Sequence, residues 1–216
     1  MIIKLTVFII MGVTERKKKE KKEMRALILD TAMRLFLEKG YEKVTIRGIA
    51  EEIEYSPATI YLYFKNKNDI LFALHTEGFE RFYLHQQTIL TIKDPWKRLR
   101  RHARVYMSFA LENPEYYDLM FIMRGPAEKI QADREWDAGM RSYDFLRENI
   151  RDCMKSGYLP KTDLDVAAFA IWSFTHGMAS LIIRQRCGMI SKEALSSVID
   201  GAIDFMTSKI EITRER

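Results

Sequence analysis

Only two cysteines, Cys153 and Cys187, occur in the 216 residues, too few and too isolated for a disulfide framework. They read as buried or inert thiols. The four histidines lie far apart, without the spacing of metal ligands. There is no glycine-rich phosphate loop and no nucleophilic serine at an elbow. The carboxylates are scattered, and no pair stands out for acid–base work. An enzyme reading therefore has nothing to rest on, and no catalytic residue, metal or cofactor is expected. No apolar run reaches the ~18–20 residues that span a bilayer, so a cytoplasmic protein without a membrane partner is expected. Sustained period-two alternation between hairpin turns is missing too, as is any internal repeat. The fold class expected is all-α, with about nine helices.

The charge is placed unevenly. Residues 1–67 hold 14 Lys and Arg against 9 Asp and Glu, the whole of the net +5, while the rest balances at 21 and 21. A basic amino-terminal third on a neutral body is the footprint of a nucleic-acid-binding module, although a solvated charged face gives the same count.

Residues 1–13, MIIKLTVFIIMGV, differ from everything that follows. They lack the basic n-region and cleavage site of a signal peptide. Translation from Met11 and a genuine extra strand or interfacial segment both fit. The run ERKKKEKKEMR reads as a frayed helix start or disordered arm able to touch DNA phosphates. From Met24 to Lys39, Leu27, Ile28, Ala32, Leu35 and Phe36 recur at helical spacing, and Gly40 stops the helix.

Thr45 to Phe64, TIRGIAEEIEYSPATIYLYF, reads as two short helices and a tight turn. Ile46, Ile49, Ala50 and Ile53 stripe the first. Ser56 is a preferred N-cap, and Pro57 suits the first helical position. At about 100° per residue, Ile60, Phe64 and Pro57 share one side of the second helix. Ala58 and Leu62 lie opposite, with Thr59 and Tyr61 on the flanks. This is the arrangement of a helix-turn-helix reader.

At this point the chain resembles the TetR family of transcriptional regulators. The family's pattern is met by Thr45, Ile49, Ala50, Ser56, Thr59, Ile60, Tyr61, Tyr63 and Phe64. The family usually has glycine at the position of Glu54, where the turn tends toward positive φ. Glutamate there is either strained or sits in a turn built differently. The resemblance implies that Ala58 and Leu62 approach base edges and that Arg47 reaches a base edge or phosphate. It implies that Thr45, Thr59, Tyr61, Tyr63 and Lys67 hold phosphates, with Ser56 and Pro57 starting the reading helix.

The next helices are expected at roughly 67–90, with Ile70, Leu71, Leu74, Phe79 and Phe82 apolar, then from Pro95 to about Leu111. A short one follows Asn113–Pro114, a long one runs from about Ala127 to Ser156 and is closed by Gly157, and Asp163 starts an apolar helix interrupted near Cys187–Gly188. Ser191 caps the last, reaching about Ile210. The domains are then a 1–23 extension and basic arm, a 24–66 helix-turn-helix domain, and a 67–216 ligand-binding and dimerisation domain.

Trp172, His176 and Gly177 form W-x-x-x-H-G, which resembles the WHG-type carboxy-terminal domain of many such regulators. One turn apart, Trp172 and His176 share a face and line a pocket wall, and Gly177 lets another helix pack closely. Tyr106, Phe109, Tyr117, Phe121, Trp136 and Met140 join them as candidate contacts to a small hydrophobic or amphipathic effector. Arg100, Arg104 and Arg141 either meet a charged head group or are solvated. Ala167, Ala170, Ile171, Phe174, Met178 and Leu181, then Leu195, Val198, Ile199, Ala202 and Phe205, offer a homodimer face through the last two helices. The resulting reading is a ligand-responsive homodimeric repressor on a palindromic, double-stranded operator. A membrane-proximal sensor anchored by residues 1–13, and a small-molecule-binding or enzymatic helical bundle with a vestigial helix-turn-helix, are the competing readings.

Overall fold

In the computed structural model the backbone is described for residues 2–123 and 136–211, and side chains for 14–123 and 136–207. All regular structure among these residues is helical: α1 (Ile2–Lys39), a 3-10 turn (Tyr41–Lys43), α2 (Ile46–Glu52), α3 (Pro57–Tyr61) and α4 (Lys67–Gln87). Then come α5 (Pro95–Glu112), α6 (Pro114–Phe121), α7 (Asp137–Lys155), α8 (Leu164–Ile183) and α9 (Lys192–Glu211). The described residues form two compact units, one up to His75 and the other from Thr76 to Met123 together with those from Trp136 onward. The first unit thus includes the opening turns of α4, whose Ile70, Leu71 and Leu74 are buried.

In the first unit α1 packs on α2, and α2 on α3. Ile28, Phe36, Ile49 and Ile60 are buried almost completely. Two expectations for α1 change. Leu27 faces solvent and Leu29 takes the buried place. The helix also starts at Ile2 rather than near Met24, so the segment ahead of Met11 is helical, not a strand. The charged run carries it: Arg16–Glu20 and Lys19–Glu23 pair at i,i+4, the spacing that supports a solvated helix. The side chains of residues 1–13, and with them the Met11 reading, lie outside the described residues. Gly40 ends α1 at φ 79, a conformation open to glycine at no steric cost.

In the second unit α5 is the central helix, packed against α6, α7, α8 and α9. Asp94 caps it, its carboxylate accepting from the Lys97 N–H at 2.8 Å. One core gathers Phe79, Phe82, Tyr106, Phe109 and Tyr117, and another gathers Trp96, Leu99, Ile150, Cys153 and Ala168. Cys153 is buried, donates to the Pro95 carbonyl, and burial pushes its thiol up to about 12, as an inert thiol requires. The part of the expected 127–156 helix ahead of Trp136 lies outside the described residues. Gly157 closes α7 at φ 74, whereas α8 ends at Gln185 with φ 55, ahead of Cys187–Gly188.

One expectation about α8 fails. Leu164–Ile183 is long and apolar enough to cross a membrane by length and composition, with mean hydropathy 1.6. Its apolar residues run round the helix. Ala168, Thr175 and Ala179 are buried within the chain, while Val166, Phe169 and Leu181 face outward. Arg141 is exposed, as a solvated arginine is expected to be, while Arg100 and Arg104 are partly buried and ion-paired. Arg100 and Arg104 pair with Asp204, Arg104 also with Asp200 at 2.6 Å, and Arg141 pairs with Glu80.

Candidate functional site

The two short helices of the first unit are set by local chemistry. Thr45 Oγ1 accepts from the Gly48 N–H at 3.0 Å and caps α2. Ser56 Oγ accepts from the Thr59 N–H at 3.3 Å and lies 3.1 Å from Thr59 Oγ1, so α3 starts where the Ser-Pro pair places it. Between them, the Tyr55 N–H donates to the Ala50 carbonyl at 2.9 Å and the Glu54 N–H to the Glu51 carbonyl at 3.2 Å. These two bonds are the Schellman closure of a helix, which puts its last residue in the left-handed region. Glu54 occupies that place at φ 60. The glutamate is strained, and its exposed side chain has no hydrogen bond or ion pair among the described residues to offset the strain. Glu54→Gly should therefore raise stability by roughly 1 kcal/mol, the left-handed penalty outweighing the greater freedom of unfolded glycine. Thermal unfolding of the pair checks it, and a lower melting temperature in the variant would contradict the strain.

α3 is one turn and a half, and Leu62 caps it. Ile60 is fully buried, Phe64 nearly so, and Tyr63 half-buried. Ala58 is exposed, Tyr61 is 57% and Leu62 76% exposed. Pro57 does not join the buried side as the helical wheel has it; at the first turn it projects into solvent. Arg47 is exposed and pairs with Glu51 at 3.2 Å. Lys67 behaves differently from a solvated lysine. Its ammonium donates to the Tyr41 carbonyl at 2.7 Å and lies 4.0 Å from the centre of the Tyr41 ring, tying the start of α4 to the 3-10 turn.

The second unit holds a cavity of about 180 Å³, partly open to solvent, among α4, α5, α6, α7 and α8. Five of the eight expected contacts line it: Tyr106, Phe121, Trp136, Met140 and Trp172. Phe109, Tyr117 and His176 do not. Phe109 is buried in the core against Phe82 at 5.0 Å between ring centres. His176 stands behind the wall, its Nδ1 3.0 Å from the Tyr106 hydroxyl and 3.1 Å from that of Tyr117. Burial lowers its pKa and raises those of both tyrosines, Tyr117 to about 12. The imidazole is thus a neutral bracket between α5 and α6. Gly177 has open space rather than a packed helix beside it.

A buried polar chain forms part of the cavity wall. Gln86, His102, Ser142 and Asn149 are each almost completely inaccessible. The Ser142 hydroxyl donates to Gln86 Oε1 at 2.8 Å, and Gln86 Nε2 donates to the Ser142 carbonyl at 3.2 Å and lies 2.9 Å from His102 Nε2. Desolvation takes His102 down to about 4, so it is neutral.

Residues 28–74 match the family model for bacterial regulatory proteins of the tetR family, and residues 99–206 match the tetracyclin repressor-like carboxy-terminal domain. The chain belongs to the TetR family. It is 26% identical over 160 residues to the HTH-type transcriptional regulator HbdR of Aromatoleum sp. (strain CIB), covering 73% of this chain and 69% of that protein. To the fatty acid metabolism regulator protein of Bacillus subtilis (strain 168) it is 39% identical over 64 residues, 30% of this chain and 33% of the relative. The fatty acid degradation regulator FadR from Bacillus halodurans shares the fold at TM-score 0.69 and 20% identity, over 85% of this chain and 94% of that one. The protein is thus a TetR-family transcriptional regulator with an amino-terminal helix-turn-helix.

For this TetR-family member, sequence reasoning missed Gln86, His102 and Ser142 at the cavity. A signal was present. Gln86 continues the stripe Phe79–Phe82, His102 interrupts Leu99–Tyr106, and Ser142 precedes Phe145–Leu146, so each is a polar residue at a buried helical position.

Proposed function

We propose that the protein is a cytoplasmic, ligand-responsive repressor that binds a two-fold operator as a homodimer and catalyses no reaction. The observation that carries this reading is α3, capped by Ser56 and Pro57, which holds Ala58, Tyr61 and Leu62 outward over a buried Ile60. Ala58 and Leu62 approach base edges, and Arg47 reaches a base or phosphate. Thr45, Thr59, Tyr61, Tyr63 and Lys67 hold phosphates. The Thr45 hydroxyl only accepts in its cap, so its proton is free to donate to a phosphate oxygen. Electrophoretic mobility shift with the DNA beside the protein's own gene tests the reading. A protein that gave no shift there, nor with any duplex recovered by selection, would contradict it.

Two substitutions separate holding from reading. Tyr61→Phe should weaken binding to operator and unrelated duplex alike, because phosphate contacts carry no direct sequence information. Lys67→Ala should do the same and also lower the salt slope by about one unit, since it removes a charge that releases a counterion. It also cuts the tie to Tyr41, so thermal unfolding is measured alongside. Fluorescence anisotropy at several salt concentrations reads both, and an unchanged slope in a folded Lys67→Ala would remove Lys67 from the phosphate set.

The dimer uses the outward faces of α8 and α9. Val166, Phe169, Ala170, Ser173 and Leu181 form one exposed stripe, and Val198, Gly201 and Phe205 another. Open space beside Gly177 and Gly201 lets a partner backbone come close. Of the residues expected at the interface, Ala167, Ile171, Phe174, Met178 and Ile199 are partly buried against the chain's own cores. An apolar helix exposed on one face needs a second cover. A second copy supplies it, and an effector in the cavity shifts the population between DNA-competent and incompetent dimers.

A further inference from the structure

We propose that the cavity of the second unit takes an uncharged molecule of about one ring's size bearing a carbonyl-type hydrogen-bond acceptor. This rests on the ligand-responsive reading above and names the chemistry of its effector.

Size comes first. An engineered apolar cavity of about 150 Å³ holds benzene. At about 180 Å³ this one holds a single ring with a short substituent.

Charge comes next. Among the described residues, no Lys, Arg, Asp or Glu lines the cavity. A carboxylate brought there would lose its water and meet no cation, a loss that attraction elsewhere does not offset. An ammonium group fares no better.

The acceptor follows from an N–H group on the lining. Among the described residues, Trp136 Nε1 is buried without a hydrogen-bond partner. A buried donor without an acceptor is costly, and a ligand oxygen relieves that cost. The described lining offers this donor and no cation, which selects a neutral acceptor over an anion.

Isothermal titration calorimetry of the full-length protein tests this with acetophenone, its acceptor-free analogue ethylbenzene, and benzoate. Acetophenone should bind about tenfold or more tighter than ethylbenzene, the effect of satisfying one buried donor, and benzoate should bind weakest. In Trp136→Phe, which keeps an aromatic wall without the N–H, the acetophenone preference should shrink while ethylbenzene binding stays. Equal binding of acetophenone and ethylbenzene to the wild type would overturn the acceptor, and benzoate binding as tightly as acetophenone would overturn the neutrality. Failure of all three to bind would overturn the size class. The titration contains no DNA, so it stands apart from the effector role. Acetophenone that binds but leaves operator affinity unchanged supports this assignment and overturns the effector role proposed above.

Discussion

Ala58→Val should lower operator affinity by about 10- to 100-fold while leaving the weak binding to unrelated duplex unchanged. The magnitude is that of one lost base contact, about 1–3 kcal/mol. Ala58 lies on α3 one residue beyond Pro57 and is exposed, so a larger side chain there disturbs nothing inside the domain. Changes at such a site usually alter stability by less than about 0.5 kcal/mol. What the extra methyl groups do is hold the helix away from the groove floor, where a short side chain permits close approach to base edges. Non-specific binding survives because it comes from phosphates and counterion release, neither of which involves Ala58. Anisotropy on matched operator and scrambled duplexes measures the two affinities side by side. Equal losses on both, or no loss on either, would mean that α3 is not the reading element.

The parts of this molecule that were legible in its sequence are those whose cause is local. The start of α3 depends on Ser56 and Pro57 alone, and both act on atoms within one turn. The left-handed turn was legible at Glu54 only by comparison with the glycine that the family places there; the two backbone bonds to Ala50 and Glu51 then impose φ 60 whatever the side chain. Depth was much less legible. Helical spacing places Trp172 and His176 on one face, and their rings lie 5.8 Å apart, but spacing does not say which of them reaches the cavity. Trp172 does, whereas the shorter His176 is held back between Tyr106 and Tyr117. The same limit applied to α8. Its composition is apolar all round, so which residues turn inward was fixed by the packing of α5 and α7 and not by a polar face.

Phe169→Asp should convert the protein to a monomer and lower operator affinity by more than about 100-fold. Phe169 is 62% exposed on α8, so aspartate there leaves the chain's own cores intact. In a two-fold dimer each subunit presents the same patch, and a single substitution places two carboxylates in one apolar seam. Each loses water without gaining a cation, at several kcal/mol per ion, enough to undo association at micromolar protein. A monomer carries one reading head, and one head reads too few base pairs to exceed the ~10⁻⁴–10⁻⁶ M of non-specific binding. Phe205→Asp, 61% exposed on α9, should behave the same way, since both helices belong to the proposed face. Leu84→Asp serves as control: Leu84 is 62% exposed on α4 and belongs to neither stripe, and its substitution should leave the dimer and its affinity alone. Sedimentation velocity gives the oligomeric state, circular dichroism the fold, and anisotropy the operator affinity. A folded Phe169→Asp that sedimented as a dimer and bound operator normally would move the interface off α8. Dissociation of Leu84→Asp would mean that exposure of an apolar residue, and not its place on α8 or α9, decides the outcome.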